Sequence, residues 1–131
     1  MPIGKHIERI DALQKVTGKA IYASDFSIEG MLYALLVRSE RPHAYIRRIE
    51  LEEAAKIEGV LRILTYRDIP GSNSFGVIRK DQPLFAEDRV RYVGEPLAMV
   101  IAKNEKIARE ASRLIVVEYE DIGVIRDPYE A

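Results

Sequence analysis

Cysteine is missing from all 131 residues. That excludes a disulfide scaffold, an iron–sulfur centre held by this chain and a thiol nucleophile. Histidine is nearly missing too: His6 and His43 are too few to build a zinc site. Neither sign of charge dominates, with 20 basic against 21 acidic residues. A domain that held nucleic acid by bulk electrostatics would carry a clear basic excess. Long apolar runs are lacking as well. The longest, 31–37 and 96–102, are far too short to span a bilayer. Residues 1–11 hold no apolar core of signal-peptide length, so the sequence reads as cytoplasmic. Asparagine and glutamine are scarce and arginine outnumbers lysine, a trend of thermophilic proteins.

What remains is the composition of a globular protein, 47% hydrophobic and 31% charged. The length suits a single domain over 1–131 with a real core. Within it, 1–18 reads as an N-terminal arm and 123–131 as the start of a linker.

In the arm, Asp11 is placed to cap a short helix over 12–16, with Gly18 as its stop. A short extended piece over 19–23 follows. The run 31–38 is apolar on both faces and predicts a central strand covered on both sides. Arg41-Pro42 breaks it. A strand over 44–50 has apolar Ala44, Ile46 and Ile49. Its two-residue period slips once between Arg47 and Arg48, which predicts a bulge. A short helix over 52–58 stops at Gly59, and a strand covers 60–65 until Asp68-Ile69-Pro70-Gly71.

The segment 71–85 is the least regular and longer than a normal connection, which marks it as functional or disordered. Strands over 90–93 and 97–102 flank the turn Gly94-Glu95-Pro96, the second of them internal. Gly18 and Gly94 suit backbone conformations that a Cβ disfavours. Asn104 caps the strongest helix, 105–114, whose apolar stripe is Ile107, Ala108, Ala111, Leu114 and Ile115. The last strand, 116–120, puts Val117 and Tyr119 on one face. The fold class is α+β (mixed α/β), with a mixed sheet and two main helices.

Catalytic constellations do not emerge from the residues. Ser39 and His43 flank Arg41-Pro42, but no strained elbow accompanies them, and a polar turn with a surface histidine is the better reading. His6 reads the same way. The stretch Gly71-Ser72-Asn73-Ser74-Phe75-Gly76 contains glycine, yet no lysine-serine/threonine pair follows, so it is a flexible loop and not a phosphate cradle. Asp81, Glu87 and Asp88, like Glu118, Glu120 and Asp121, are interleaved with arginines and read as solvated ion pairs. Tyr45, Arg47 and Arg48 form a possible nucleic-acid face that Glu50, Glu52 and Glu53 neutralise.

Several segments together resemble one family. The opening Arg9-Ile10-Asp11-Ala12-Leu13-Gln14-Lys15-Val16-Thr17-Gly18-Lys19-Ala20, with Tyr22 and Asp25, is similar to that of the molybdenum-carrying large subunit of the xanthine dehydrogenase and aldehyde oxidase family. The likeness continues through Gly30-Met31-Leu32-Tyr33-Ala34, Arg38-Ser39, Pro42-His43-Ala44, Gly59-Val60 and Asp81-Gln82-Pro83-Leu84. It is densest over Asp88-Arg89-Val90-Arg91-Tyr92-Val93-Gly94-Glu95-Pro96-Leu97-Ala98 and closes on Val117-Glu118-Tyr119-Glu120 and Asp127-Pro128. The carbon monoxide dehydrogenase large subunit shares this domain.

The resemblance implies the N-terminal α/β hammerhead domain. It implies an accessory part of a molybdenum hydroxylase, an oxidoreductase acting on aldehydes or N-heterocycles. Such a part braces the molybdopterin domain and shapes substrate access without catalysing anything alone. The complete enzyme is expected to carry molybdenum-pterin, iron–sulfur clusters and FAD, none bound by this chain. The expected partners are molybdopterin-binding domains of the same or an adjacent chain and the iron–sulfur and FAD subunits; nucleic acid and membrane are not among them. The domain with the catalytic glutamate should follow Ala131, in a longer chain or as the product of a split gene. The alternative is a free-standing interaction or small-ligand-binding module that retains the fold without activity.

Catalytic, cofactor-binding and metal residues are therefore none. The candidate inter-domain or substrate-funnel contacts are Phe75, Leu84 and Phe85, with Arg91 and Glu95 on the rim. Against this stands the simpler expectation that Leu84 and Phe85 fill the domain's own core.

Overall fold

Residue 4 and residues 7–130 are described by the computed structural model; His6 and Ala131 lie outside the described residues. The chain divides into two compact units, Met1–Met31 and Leu32–Ala131. The first extends beyond the arm expected over 1–18.

In the first unit, α1 spans Ala12–Val16. Asp11 precedes it but makes no side-chain cap. Its carboxylate instead takes Lys15 at 2.6 Å and Arg9 at 2.5 Å. Those two cations, Lys15 above all, hold the Asp11 carboxyl below its ordinary pKa. Gly18 follows at φ +68°, as its place after the helix required. The piece 19–23 forms no strand; the chain takes a 3-10 turn at Ala23–Asp25. No residue of 7–31 is buried.

The second unit is built around β7, Pro96–Ala102. Leu97, Ala98, Val100 and Ala102 are buried along it. It is flanked by β1, Tyr33–Arg38, and β3, Val60–Leu64, in a sheet of order β1-β7-β3. Asn104 accepts the Ile107 N–H at 2.9 Å and starts α3, Glu105–Arg113. Ala108 and Ala111 face inward and are small enough to set α3 close over Val100 and Ala102, with Ile115 and Ala54 completing this cluster. Ala54 comes from α2, Glu52–Ala55, shorter than expected.

A second sheet has the order β6-β2-β8, from Arg89–Val90, Ala44–Glu50 and Val116–Asp121. Ala44, Ala86, Val90 and Leu97 form its core, against which Val117 and Tyr119 pack from one face of β8. The predicted slip in β2 is present: the register against β8 jumps between Ile46 and Arg48. β4, Ser74–Phe75, and β5, Gln82–Pro83, make a separate two-stranded hairpin.

Four further expectations are corrected. All described pairings are antiparallel, so the sheets are not mixed. β1 is an edge strand and β7 the central one. The apolar run of β1 needs cover, but α3 supplies it on one face only, and Leu32 just before it is exposed. β6 ends at Val90, because the chain turns at 91–95 to bring Glu95 inward. Leu114 is exposed at the end of α3, so the apolar stripe stops at Ala111 and resumes with Ile115.

Candidate functional site

Nothing in the long segment 71–85 is helical, and a small clamp gives it its shape. Asn73 donates from Nδ2 to the Phe85 carbonyl at 2.8 Å, and its Oδ1 accepts the Phe85 N–H at 3.1 Å. Its own carbonyl accepts the Leu84 N–H at 3.0 Å. One side chain thus satisfies both main-chain groups of Phe85, which would otherwise be buried without partners. The hairpin pairs Ser74 with Pro83 and Phe75 with Gln82 beyond this clamp. Gly76 turns the chain where a Cβ would stand 1.7 Å from the Arg79 carbonyl oxygen, so no larger residue fits without rebuilding the turn.

The clamp divides the predicted contacts. Phe85 is buried and belongs to the domain's own interior, as the simpler expectation had it. Phe75 and Leu84 remain close to half exposed. Val77 and Ile78, between them in sequence, are almost fully exposed, at 105% and 95%. Asn73, Val77 and Ile78 were not singled out from the sequence. A lone asparagine in an irregular stretch was the available signal for the clamp, since its amide mimics a backbone group.

Arg91 and Glu95 come together, Arg91 at the surface and Glu95 beneath it. Glu95 is 1% exposed. Its carboxylate accepts the Arg91 main-chain N–H at 2.5 Å and the Arg91 guanidinium at 3.1 Å. The turn they close is tied to the end of β1. Ser39 donates its N–H to the Glu95 carbonyl at 2.9 Å, Gly94 donates to the Ser39 carbonyl at 2.7 Å, and Arg38 reaches the Gly94 carbonyl at 2.8 Å. Gly94 sits in this turn at φ +95°, where a side chain would be strained. The half-exposed side of Arg91 lines an open cleft of about 270 Å³ with Asn73, Ser74, Asp81, Glu87 and Asp88. The cleft therefore joins the hairpin to the 91–95 turn, two of the predicted contact regions.

The residues weighed for catalysis do not meet. Ser39 Oγ is held at 3.0 Å by the Arg41 N–H and at 3.0 Å by its carbonyl. His43 Nδ1 lies 3.4 Å from the Gly123 carbonyl oxygen, and no hydrogen bond joins it to Ser39. Among the described residues no three His, Asp or Glu side chains gather as a metal site. Arg47 pairs with Glu120 and stacks 5.4 Å from the Tyr45 ring centre, Arg48 pairs with Glu50 at 3.2 Å, and Arg41 lies 3.6 Å from Asp121. Of the carboxylates expected to pair with arginines, Glu120, Asp121 and, at 3.9 Å from Arg91, Asp88 do so, whereas Asp81, Glu87 and Glu118 make no ion pair among the described residues. No described helix is long and apolar enough to cross a membrane.

Residues 17–122 match the family described as aldehyde oxidase and xanthine dehydrogenase, a/b hammerhead domain. The chain is 46% identical over 123 residues to a Bacillus subtilis (strain 168) protein named as a probable xanthine dehydrogenase subunit, covering 94% of this chain and 16% of that one. It is 42% identical to the Nicotinate dehydrogenase large molybdopterin subunit of Eubacterium barkeri, over 92% of this chain and 28% of the relative. Among solved structures, CO dehydrogenase from Oligotropha carboxidovorans superposes with a TM-score of 0.86 at 30% identity, over 95% of this chain and 16% of that one. The aldehyde oxidoreductase of Desulfovibrio desulfuricans ATCC 27774 superposes at 0.84 and 28% identity, over 95% and 15%. The chain thus spans between a seventh and a third of the length of these relatives.

Proposed function

Because the chain belongs to the aldehyde oxidase and xanthine dehydrogenase family, as its a/b hammerhead domain, we propose that it serves a molybdenum hydroxylase as an accessory domain. It braces the molybdopterin-binding domains and shapes the route of substrate to them, in the cytoplasm. The electron-carrying partners of that enzyme are subunits with iron–sulfur clusters and FAD.

One observation carries this reading: the hairpin offers Phe75, Val77, Ile78 and Leu84 to solvent. Apolar side chains exposed along one short element mark a place where another protein sits. The first unit adds to the argument, since Ile10, Leu13, Val16 and Phe26 are exposed there and nothing in 7–31 is buried.

The cofactor itself does not fit the cleft beside Arg91. A pterin cofactor carries phosphate, and here Asp81, Glu87 and Asp88 outnumber a single guanidinium that already serves Glu95. In this reading the chain contributes surface and rigidity, and the chemistry resides elsewhere.

The test is to titrate the chain against a molybdenum-binding large-subunit polypeptide that lacks this domain. Phe75→Ser and Leu84→Ser each remove about half of a buried side chain's worth, roughly 1 kcal/mol, from the interface. Together they should weaken docking about 30-fold, with cooperative unfolding retained. Unchanged docking would refute the assignment of the hairpin. Loss of folding would place both side chains in the domain's own core.

A further inference from the structure

An open groove of about 550 Å³ in the second unit lies away from the hairpin. It is lined by Leu36, Val37 and Arg38 of β1, by Ser112 and Arg113 at the end of α3, and by Val117 and Tyr119 of β8. Two features distinguish it. First, β1 and β8 each stand at the edge of their sheet, and among the described residues neither has a second strand partner. Both strands line the groove, and each leaves one edge without a strand partner, a template for an added strand.

Second, its charge is unbalanced. Arg38, Arg41 and Arg113 line it against Glu40 alone. Arg38 gives its guanidinium to a carbonyl oxygen, at 2.8 Å from Gly94, which leaves its charge uncompensated. Arg41 is only 3.6 Å from Asp121, with both side chains more than half exposed. Arg113 makes no ion pair among the described residues and sits in the last turn of its helix. The groove also has an apolar floor in Leu97, Ile115 and Val117. The Tyr119 hydroxyl on its wall is neutral at ordinary pH and adds no negative charge.

We propose that this groove takes an extended, acidic peptide segment that pairs along the free edge of β1. The segment places β-branched side chains on the floor and carboxylates against Arg41 and Arg113. The six residues of β1 offer an edge of about 20 Å. The segment's source is the molybdenum-binding polypeptide of the enzyme, a point that rests on the function proposed above.

The probe is a fluorescein-labelled hexapeptide alternating valine and glutamate, with its valine–lysine twin. The acidic peptide should bind the full 131-residue chain at least tenfold tighter than the twin at low salt, and protect the amides of 33–38 from hydrogen exchange. Arg41→Glu combined with Arg113→Glu should reverse the preference, so that the lysine peptide binds; a misfolded variant would bind neither. Phe75→Ser with Leu84→Ser should leave peptide affinity unchanged, which separates this groove from the hairpin. Equal binding of the two peptides, binding of neither to the unmodified chain, or protection outside 33–38 would overturn the proposal. So would a dimer that the double charge reversal dissolves, since a second copy would then be the occupant.

Discussion

Replacing Glu95 by alanine probes the most unusual side chain in the domain, a carboxylate that is 1% exposed in a turn. The substitution removes the acceptor of the Arg91 main-chain N–H, now 2.5 Å away. That bond is part-buried, and an N–H left there without a partner costs at most about 1–3 kcal/mol. The lost methylene adds about 0.8 kcal/mol. The Arg91 guanidinium adds little, because its side chain is 38% exposed and turns to water once released. The expected loss is therefore about 2–4 kcal/mol, a fall in Tm of roughly 8–16 °C for a chain of this size. Glu95→Gln keeps the shape and an acceptor for the N–H and should cost about half as much. Urea and thermal unfolding followed by circular dichroism measure both. An alanine variant within about 0.5 kcal/mol of the parent, inside the range of ordinary surface changes, would refute the reasoning. Equal losses for alanine and glutamine would mean that the charge, and not the hydrogen bond, matters.

Two further outcomes follow from the hydrogen bonds. Asn104→Ala removes the cap of α3, where Oδ1 accepts the Ile107 N–H, and should cost about 1 kcal/mol in the same unfolding assay; Asn104→Asp should restore it. Asp68 is held below its ordinary pKa chiefly by the Thr65 main-chain N–H and then by Arg62. A carboxylate depressed in the folded state stabilises the fold above its unfolded pKa, about 3.9. That contribution disappears as pH falls through the lower folded value. The stability gap between the parent and Asp68→Asn should therefore be full at pH 6 and close progressively below about pH 4. A gap that stays constant across that range would exclude the carboxylate as its source.

How much of this was legible depended on the range of the interaction. The cap at Asn104, the bulge in β2 and the turn at Gly94 each leave a signal in a few neighbouring residues. Each was readable from spacing alone. The likeness over 17–122 was readable too, because it lies in the order of residues. The split of the hairpin contacts was not. Phe85 and Leu84 are neighbours of the same apolar kind, yet Asn73, twelve residues before Phe85, buries one and leaves the other at the surface.

By itself, then, the sequence determined the family, the class of fold and the local elements, since caps, turn glycines and apolar periods act over one or two turns of chain. Only the tertiary structure decided that β1 lies at an edge and β7 at the centre. An apolar run specifies that a strand needs cover, but its neighbours are chosen by strands some sixty residues away. It also decided that Glu95 is buried, because a carboxylate reads as solvated until the backbone N–H that replaces its water is brought beside it.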